Sequence, residues 1–235
     1  MRDEKRNEKE NKIIAAAERV FNEVGFKNAK MEDIATEANI TKVTLYSYFH
    51  SKENLYLAIT YKAVSKLNDI YYEIVDRNKV KNGLRSVMDL LSAFMDFCQE
   101  NYLYSEALLE YFALVRSTND GSNLTKLTEA TKESIYFVKL QDVQNLAFKI
   151  TAKEIQRGQS DGSIVSNIDP MMYTLYGWAS IIGYIKVLAA SGSNANPLFN
   201  VNLQELKQLN LKMVNMALGS NTMQDTMNAM EEIGK

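Results

Sequence analysis

The sequence predicts an all-α fold, and three observations carry that prediction. Apolar residues recur at three- and four-residue spacing along most of the chain. No stretch alternates with period two between hairpin turns, so no sheet is expected. The 235 residues include only two prolines, Pro170 and Pro197, and ten glycines, most of them where a helix would stop. The length suits a small N-terminal unit followed by one larger domain, with the division expected at 1–50 and 51–235.

Between Arg2 and Glu10 four acids cancel four bases, so residues 1–9 are expected to be a frayed, solvated terminus. The first helix is expected near 10–24, with Ile13, Ile14, Ala17, Phe21 and Val24 on its apolar face and Gly25 as its stop. Met31 to Ala38 then reads as a short helix, Asn39-Ile40 as a break, and Thr41 to Phe49 as a second short helix. Asn39 suits the turn because Asn tolerates the left-handed conformation, and Thr41 suits the cap because its hydroxyl accepts a backbone N–H one turn in. Helix, tight turn, helix is the layout of a DNA-reading element.

The second of these helices has two dissimilar faces. Leu45 and Phe49 are four apart and point to a core. Lys42, Val43 and Tyr46 fall opposite, flanked by Thr44 and Tyr48. Thr, Tyr and Lys donate to phosphate oxygens, while Lys42 and Val43 suit base edges or a thymine methyl group. On face pattern alone, a short amphipathic helix with a solvated polar face stays open as an alternative.

Ser51 is expected to cap a long helix over 52–76, with Leu57, Tyr61, Val64, Leu67, Tyr71 and Ile74 down one face. Lys52 in its first turn opposes the helix dipole, an arrangement that a docked phosphate would explain. Asn82-Gly83 breaks the chain before a helix apolar on two sides, from Leu84 to Tyr102. Further helices are expected at 105–117, at 123–157 ending on Gly158, from Asp169-Pro170 to Ala190, and at 202–218, with a loop at 119–122. The segment from Met171 to Ala190 approaches membrane-spanning length, but Lys186, Thr174 and Ser180 interrupt it. It reads instead as buried between its own bundle and a second subunit, with Gly177, Ser180 and Gly183 permitting close helix approach. No membrane partner is expected. Residues 220–235 carry no signal.

Four segments occur in order: Val20-Phe21-Asn22-Glu23-Val24-Gly25-Phe26, Asp33-Ile34-Ala35, Thr41 to Phe49, and Ser51-Lys52-Glu53-Asn54-Leu55. Over residues 10–60 this resembles the DNA-binding module of the tetracycline-repressor (TetR) family. The resemblance implies a homodimeric, all-helical transcriptional repressor released from a double-stranded DNA operator by a small-molecule effector, with the larger helical domain serving effector binding and dimerisation. By position it implies DNA contacts at Lys42, Val43, Thr44, Tyr46, Tyr48 and Lys52. Thr41 and Lys30 join the candidate interface, Lys30 as a poor N-cap whose charge suits a nearby phosphate. The sequence departs from the family where Val43 replaces a frequent small residue, Asn39 a common Gly, and Ser47 a common His.

Composition narrows the remaining classes. Net charge is −2, with +1 over residues 1–62 and −3 over the rest, so no DNA-coating basic protein is expected. Cys98 is the single cysteine and falls in an apolar stripe, as a buried thiol would; His50 is the single histidine. No disulfide, metal cluster, cofactor or His-based catalytic site is expected, and no carboxylate pair is joined by a phosphate loop or a metal-ligand spacing, so the chain is not expected to be an enzyme. The charged N-terminus lacks a signal-peptide core, which favours the cytoplasm. For the effector, of unknown identity, Phe94, Tyr111, Tyr136 and Trp178 offer rings with polar edges, although core packing is the commoner role for each. They favour an apolar or aromatic effector; Glu106 and Glu110 leave room for a cationic one. A helical protein-interaction module that does not bind DNA is the alternative function.

Overall fold

The computed structural model describes residues 2–119, 134–191 and 202–219. Ten helices are found among them, and no strand: α1 (Arg2–Asn28), α2 (Met31–Glu37), α3 (Lys42–Tyr48), α4 (Lys52–Arg77), α5 (Gly83–Glu100), α6 (Tyr102–Asn119), α7 (Ile135–Val143), α8 (Leu146–Asp161), α9 (Pro170–Ser191) and α10 (Leu203–Gly219). They form two compact units, each discontinuous in sequence. One comprises residues 1–65 and 102–144, the other 66–101 and 145–235. No helix among the described residues is long and apolar enough to cross a membrane.

In the first unit α1 starts at Arg2, not near residue 10. The N-terminal charges are therefore helical, contrary to the expected fraying. Glu, Lys and Arg are good helix formers, Glu4 suits the positive end of the dipole, and Arg6 and Glu10 stand at i, i+4 in opposite sign. Regular helix breaks where expected, at Gly25, whose φ of 74° and ψ of 159° favour glycine. Ile13, Ile14, Ala17 and Phe21 are buried; Val24 is exposed. Phe21, Phe26 and Tyr56 form an aromatic cluster with centroids 4.5–5.8 Å apart, fixing α1 on α4. The Glu18 carboxylate accepts from Lys62 Nζ at 2.8 Å and Tyr104 Oη at 2.7 Å, tying α1 to α4 and α6.

The second unit is built around α5, packed by α8, α9 and α10. Asn82 caps α5 by accepting from Arg85 N at 2.9 Å. Gly158 does not end α8, as the sequence suggested. It is helical and buried, because a Cβ on Gly83 would lie 2.1 Å from Gly158 N: these two glycines let α5 and α8 touch backbone to backbone. The helix ends instead at Gly162, left-handed at φ 78°. Asp161 fastens the crossing, accepting from Gly83 N at 2.7 Å and Ser163 N at 3.0 Å. The expected 123–157 helix is interrupted at Gln144-Asn145, between α7 and α8, and its residues 123–133 lie outside the described residues. The 105–117 helix extends over Tyr102–Asn119, and α9 and α10 match expectation to within a residue or two. Asp169 caps α9 by accepting from Met172 N at 2.8 Å. Cys98 is buried.

Candidate nucleic-acid interface

The turn between α2 and α3 is closed by backbone bonds: Ala38 N to Ile34 O, Asn39 N to Thr36 O and Ile40 N to Ala35 O, at 2.9–3.0 Å. Asn39 takes φ 53°, the one positive φ among the described non-glycine residues. Thr41 then caps α3, its Oγ accepting from Thr44 N at 3.1 Å and bonding Thr44 Oγ at 2.9 Å. Leu45 and Phe49 are buried and hold α3 against the core. The other face is open: Val43 is 81% exposed, with Lys42 and Tyr46 beside it, and Thr44 and Tyr48 are half-buried at its flanks. A helix that shows a valine to solvent has sacrificed burial at that point.

The cations at this surface are less free than the sequence suggested. Lys42 Nζ is hydrogen-bonded to Glu32 Oε1 of α2 and lies 5.9 Å from the Tyr46 ring centroid. That bond holds the ammonium above its ordinary pKa and the Glu32 carboxyl below its own. Lys42 must leave Glu32 before it can reach a base edge. Glu32 carried no sequence signal, since the pair is ten residues apart and joined only through the turn. Arg6 was missed because its partner lies still farther along the chain, on α3; its guanidinium sits 5.7 Å over the Tyr48 ring. Lys30 precedes α2 with extended backbone, is exposed, and makes no side-chain cap bond.

Lys52 occupies a different environment from the one inferred for it. Its Nζ donates to Phe26 O at 2.7 Å, Ala29 O at 3.0 Å and Lys27 O at 3.3 Å, and lies 4.6 Å from the Phe26 ring centroid. An ammonium has three N–H donors, and three carbonyls at the C-terminal end of α1 take them. A cation is unfavourable at the start of α4 but favourable at the end of α1, and the second position accounts for it. In this form Lys52 has no donor left for a phosphate. Ser51 caps α4 as expected, accepting from Asn54 N at 3.2 Å.

The four candidate effector rings divide between the units. Tyr111 and Tyr136 belong to the first, Phe94 and Trp178 to the second. Tyr111 and Phe94 are buried, and Trp178 stands 5.8 Å from the Phe148 ring. Tyr136 donates to Glu10 Oε1 at 2.5 Å and packs beside Phe49 and Tyr61; burial first, and then the Glu10 carboxylate, push its hydroxyl pKa up. It lines a cleft of about 380 Å³ with Arg6, Tyr48, His50 and Lys139.

Residues 13–59, spanning most of α1 through the start of α4, match the family described as bacterial regulatory proteins, tetR family. Over 97 residues the chain is 31% identical to the HTH-type transcriptional activator FasR of Mycolicibacterium smegmatis, covering 41% of this chain and 43% of that protein. Over 92 residues it is 30% identical to the HTH-type negative transcriptional regulator IcaR of the biofilm operon icaADBC in Staphylococcus aureus, covering 39% and 48%. The matched part thus spans under half the length of these relatives. The fold is similar to the ketosteroid transcriptional regulator KstR2 of Mycobacterium tuberculosis, with a TM-score of 0.63 and 16% identity, over 90% of this chain and 95% of that one. The cap, the left-handed turn residue and the open face of α3 all lie inside the matched segment, and it is over this segment that the chain is similar to the tetR family of bacterial regulatory proteins.

Proposed function

We propose that this chain is a transcriptional regulator that reads duplex DNA with α3 as a two-fold homodimer, and that a small apolar or aromatic effector releases it. The observation that carries the reading is α3 itself: a capped helix anchored by Leu45 and Phe49 that leaves Val43 and Tyr46 exposed, with Lys42 paired outside the core. Lys42 and Val43 tune sequence, and Thr41, Thr44, Tyr46, Tyr48 and Lys30 hold the backbone. Residues 1–50 form the reading domain in this account, and 51–235 the effector and dimer domain.

Dimerisation draws support from α9 and α10. Met172, Leu175 and Tyr176 on α9, with Leu209, Met213 and Met216 on α10, are exposed, and a Cβ at Gly183 would meet open space. A second copy would cover that apolar surface isologously. Release follows if the effector prefers a form whose reading helices no longer match successive grooves, about 34 Å apart. A hundredfold loss of affinity needs about 2.7 kcal/mol of coupling, and DNA must weaken the effector by the same factor. The name of one relative specifies an activator and that of another a negative regulator, so repression is the narrower part of the proposal.

The test is fluorescence anisotropy with duplexes selected from a random pool. Binding should weaken steeply with salt, and Val43→Asp should abolish preference for the selected duplex. Failure to bind any duplex, or binding that ignores salt, refutes the reading and favours a protein-interaction module.

A further inference from the structure

Summed charge made the N-terminus look neutral, but the helix sorts that charge. Lys5, Lys9 and Lys12 stand at i, i+4 and i+7 of α1, within about 60° of arc at 3.6 residues per turn. With Glu8 and Ile13 they line a cleft of about 280 Å³, whose other wall is Ala38 and Ile40. Those two residues belong to the turn that leads into α3. All three lysines are exposed, and none makes an ion pair among the described residues. Several other cations of this unit are engaged: Arg19 by Glu37, Lys42 by Glu32, Lys62 by Glu18, and Lys52 by carbonyls. Three unengaged positive charges therefore stand in one row bordering the reading element, with Glu8 as the one carboxylate lining the cleft.

We infer that Lys5, Lys9 and Lys12 form a second contact surface for the DNA backbone, beside the bases that α3 reads. Along the helix the row extends about 10 Å, at 1.5 Å rise per residue, which matches about three steps of a duplex strand at 3.4 Å each. Such a surface adds affinity and orients α3 without reading sequence. It rests on the proposed DNA-binding reading and extends the footprint to the first turns of α1.

Lys5→Ala/Lys9→Ala/Lys12→Ala keeps helix propensity while deleting the charge. Binding is measured on a selected duplex and on one of mixed sequence, from 50 to 200 mM salt. With three phosphates no longer neutralised, the slope of log affinity against log salt should flatten by about 2.7 on both duplexes, so wild type loses about 40-fold more affinity than the variant across that range. The triple arginine variant should retain the wild-type slope. Glu8→Gln, which leaves the lysines in place, should tighten binding to both duplexes. A slope unchanged in the alanine variant, with helix content intact by circular dichroism, overturns the surface while leaving α3 as reader. If Glu8→Gln does not tighten binding, the surface is likewise rejected. Wild-type protein that binds neither duplex rejects the reader as well.

Discussion

Lys52→Met separates two roles for one residue. The ammonium makes two hydrogen bonds of ordinary length, to Phe26 O at 2.7 Å and Ala29 O at 3.0 Å, and a longer one to Lys27 O at 3.3 Å. Hydrogen bonds to a charged group contribute about 1.5–3 kcal/mol each when buried. Lys52 is only half-buried, so the two good bonds together are worth roughly 2–4 kcal/mol after allowance for solvent. Methionine retains the aliphatic contact with Phe26 and removes only the donors. Urea unfolding should show that loss, and the melting temperature should fall by about 4–16 °C at 2–4 °C per kcal/mol. The slope of DNA affinity against salt should hardly change, because the donors are committed to carbonyls. Wild-type stability together with a slope flattened by about 0.9 would refute the clamp and restore Lys52 as a phosphate contact.

Further outcomes follow from the same geometry. Glu32→Gln should free Lys42 and tighten binding to duplex DNA in an anisotropy titration; unchanged affinity would show that the pair does not restrain the reader. Thr41→Ala should cost about 0.5–2 kcal/mol in urea unfolding through loss of the α3 cap, whereas Asn39→Gly, relieving φ 53°, should cost nothing measurable. Gly83→Ala forces a Cβ to within 2.1 Å of Gly158 N, backbone against backbone, and should destabilise by about 3 kcal/mol or more; a smaller effect would mean that α5 and α8 part easily. Burial disfavours the Asp161 carboxylate, but bonds from Ser163 and the Gly83 N–H outweigh it and its pKa is lowered. Its contribution is therefore fully present above the ordinary carboxylate range and lost as pH falls through the lowered value, so Asp161→Asn should flatten the acid limb of the stability profile.

Much of α3 was legible because local chemistry sets it. A hydroxyl cap, a turn residue tolerant of positive φ and a four-residue apolar spacing each act within one turn of helix, and Thr41, Asn39, Leu45 and Phe49 stand as expected. Partners distant in sequence were not legible. Nothing at Lys52 announces carbonyls more than twenty residues earlier, and nothing at Lys42 announces Glu32. Gly158 misled because a glycine needed for close approach carries the same letter as a glycine that stops a helix; only its neighbour Gly83 distinguishes them. The N-terminal charges misled because a sum discards register, whereas a helix keeps it. The Gln144-Asn145 break lacks glycine and proline, so periodicity ran through it.

The most direct test of the central claim is selection of bound sequences from a random duplex pool by the wild-type chain and by Lys42→Ala. A dimeric reader should enrich two inverted half-sites, centred one helical turn or a multiple of it apart. Lys42→Ala should relax particular base pairs in each half-site, at about 1–3 kcal/mol for a good contact, and leave the spacing intact. A pool that stays random after repeated rounds, or one in which Lys42→Ala yields the identical motif, would contradict the assignment of α3 as the element that reads sequence.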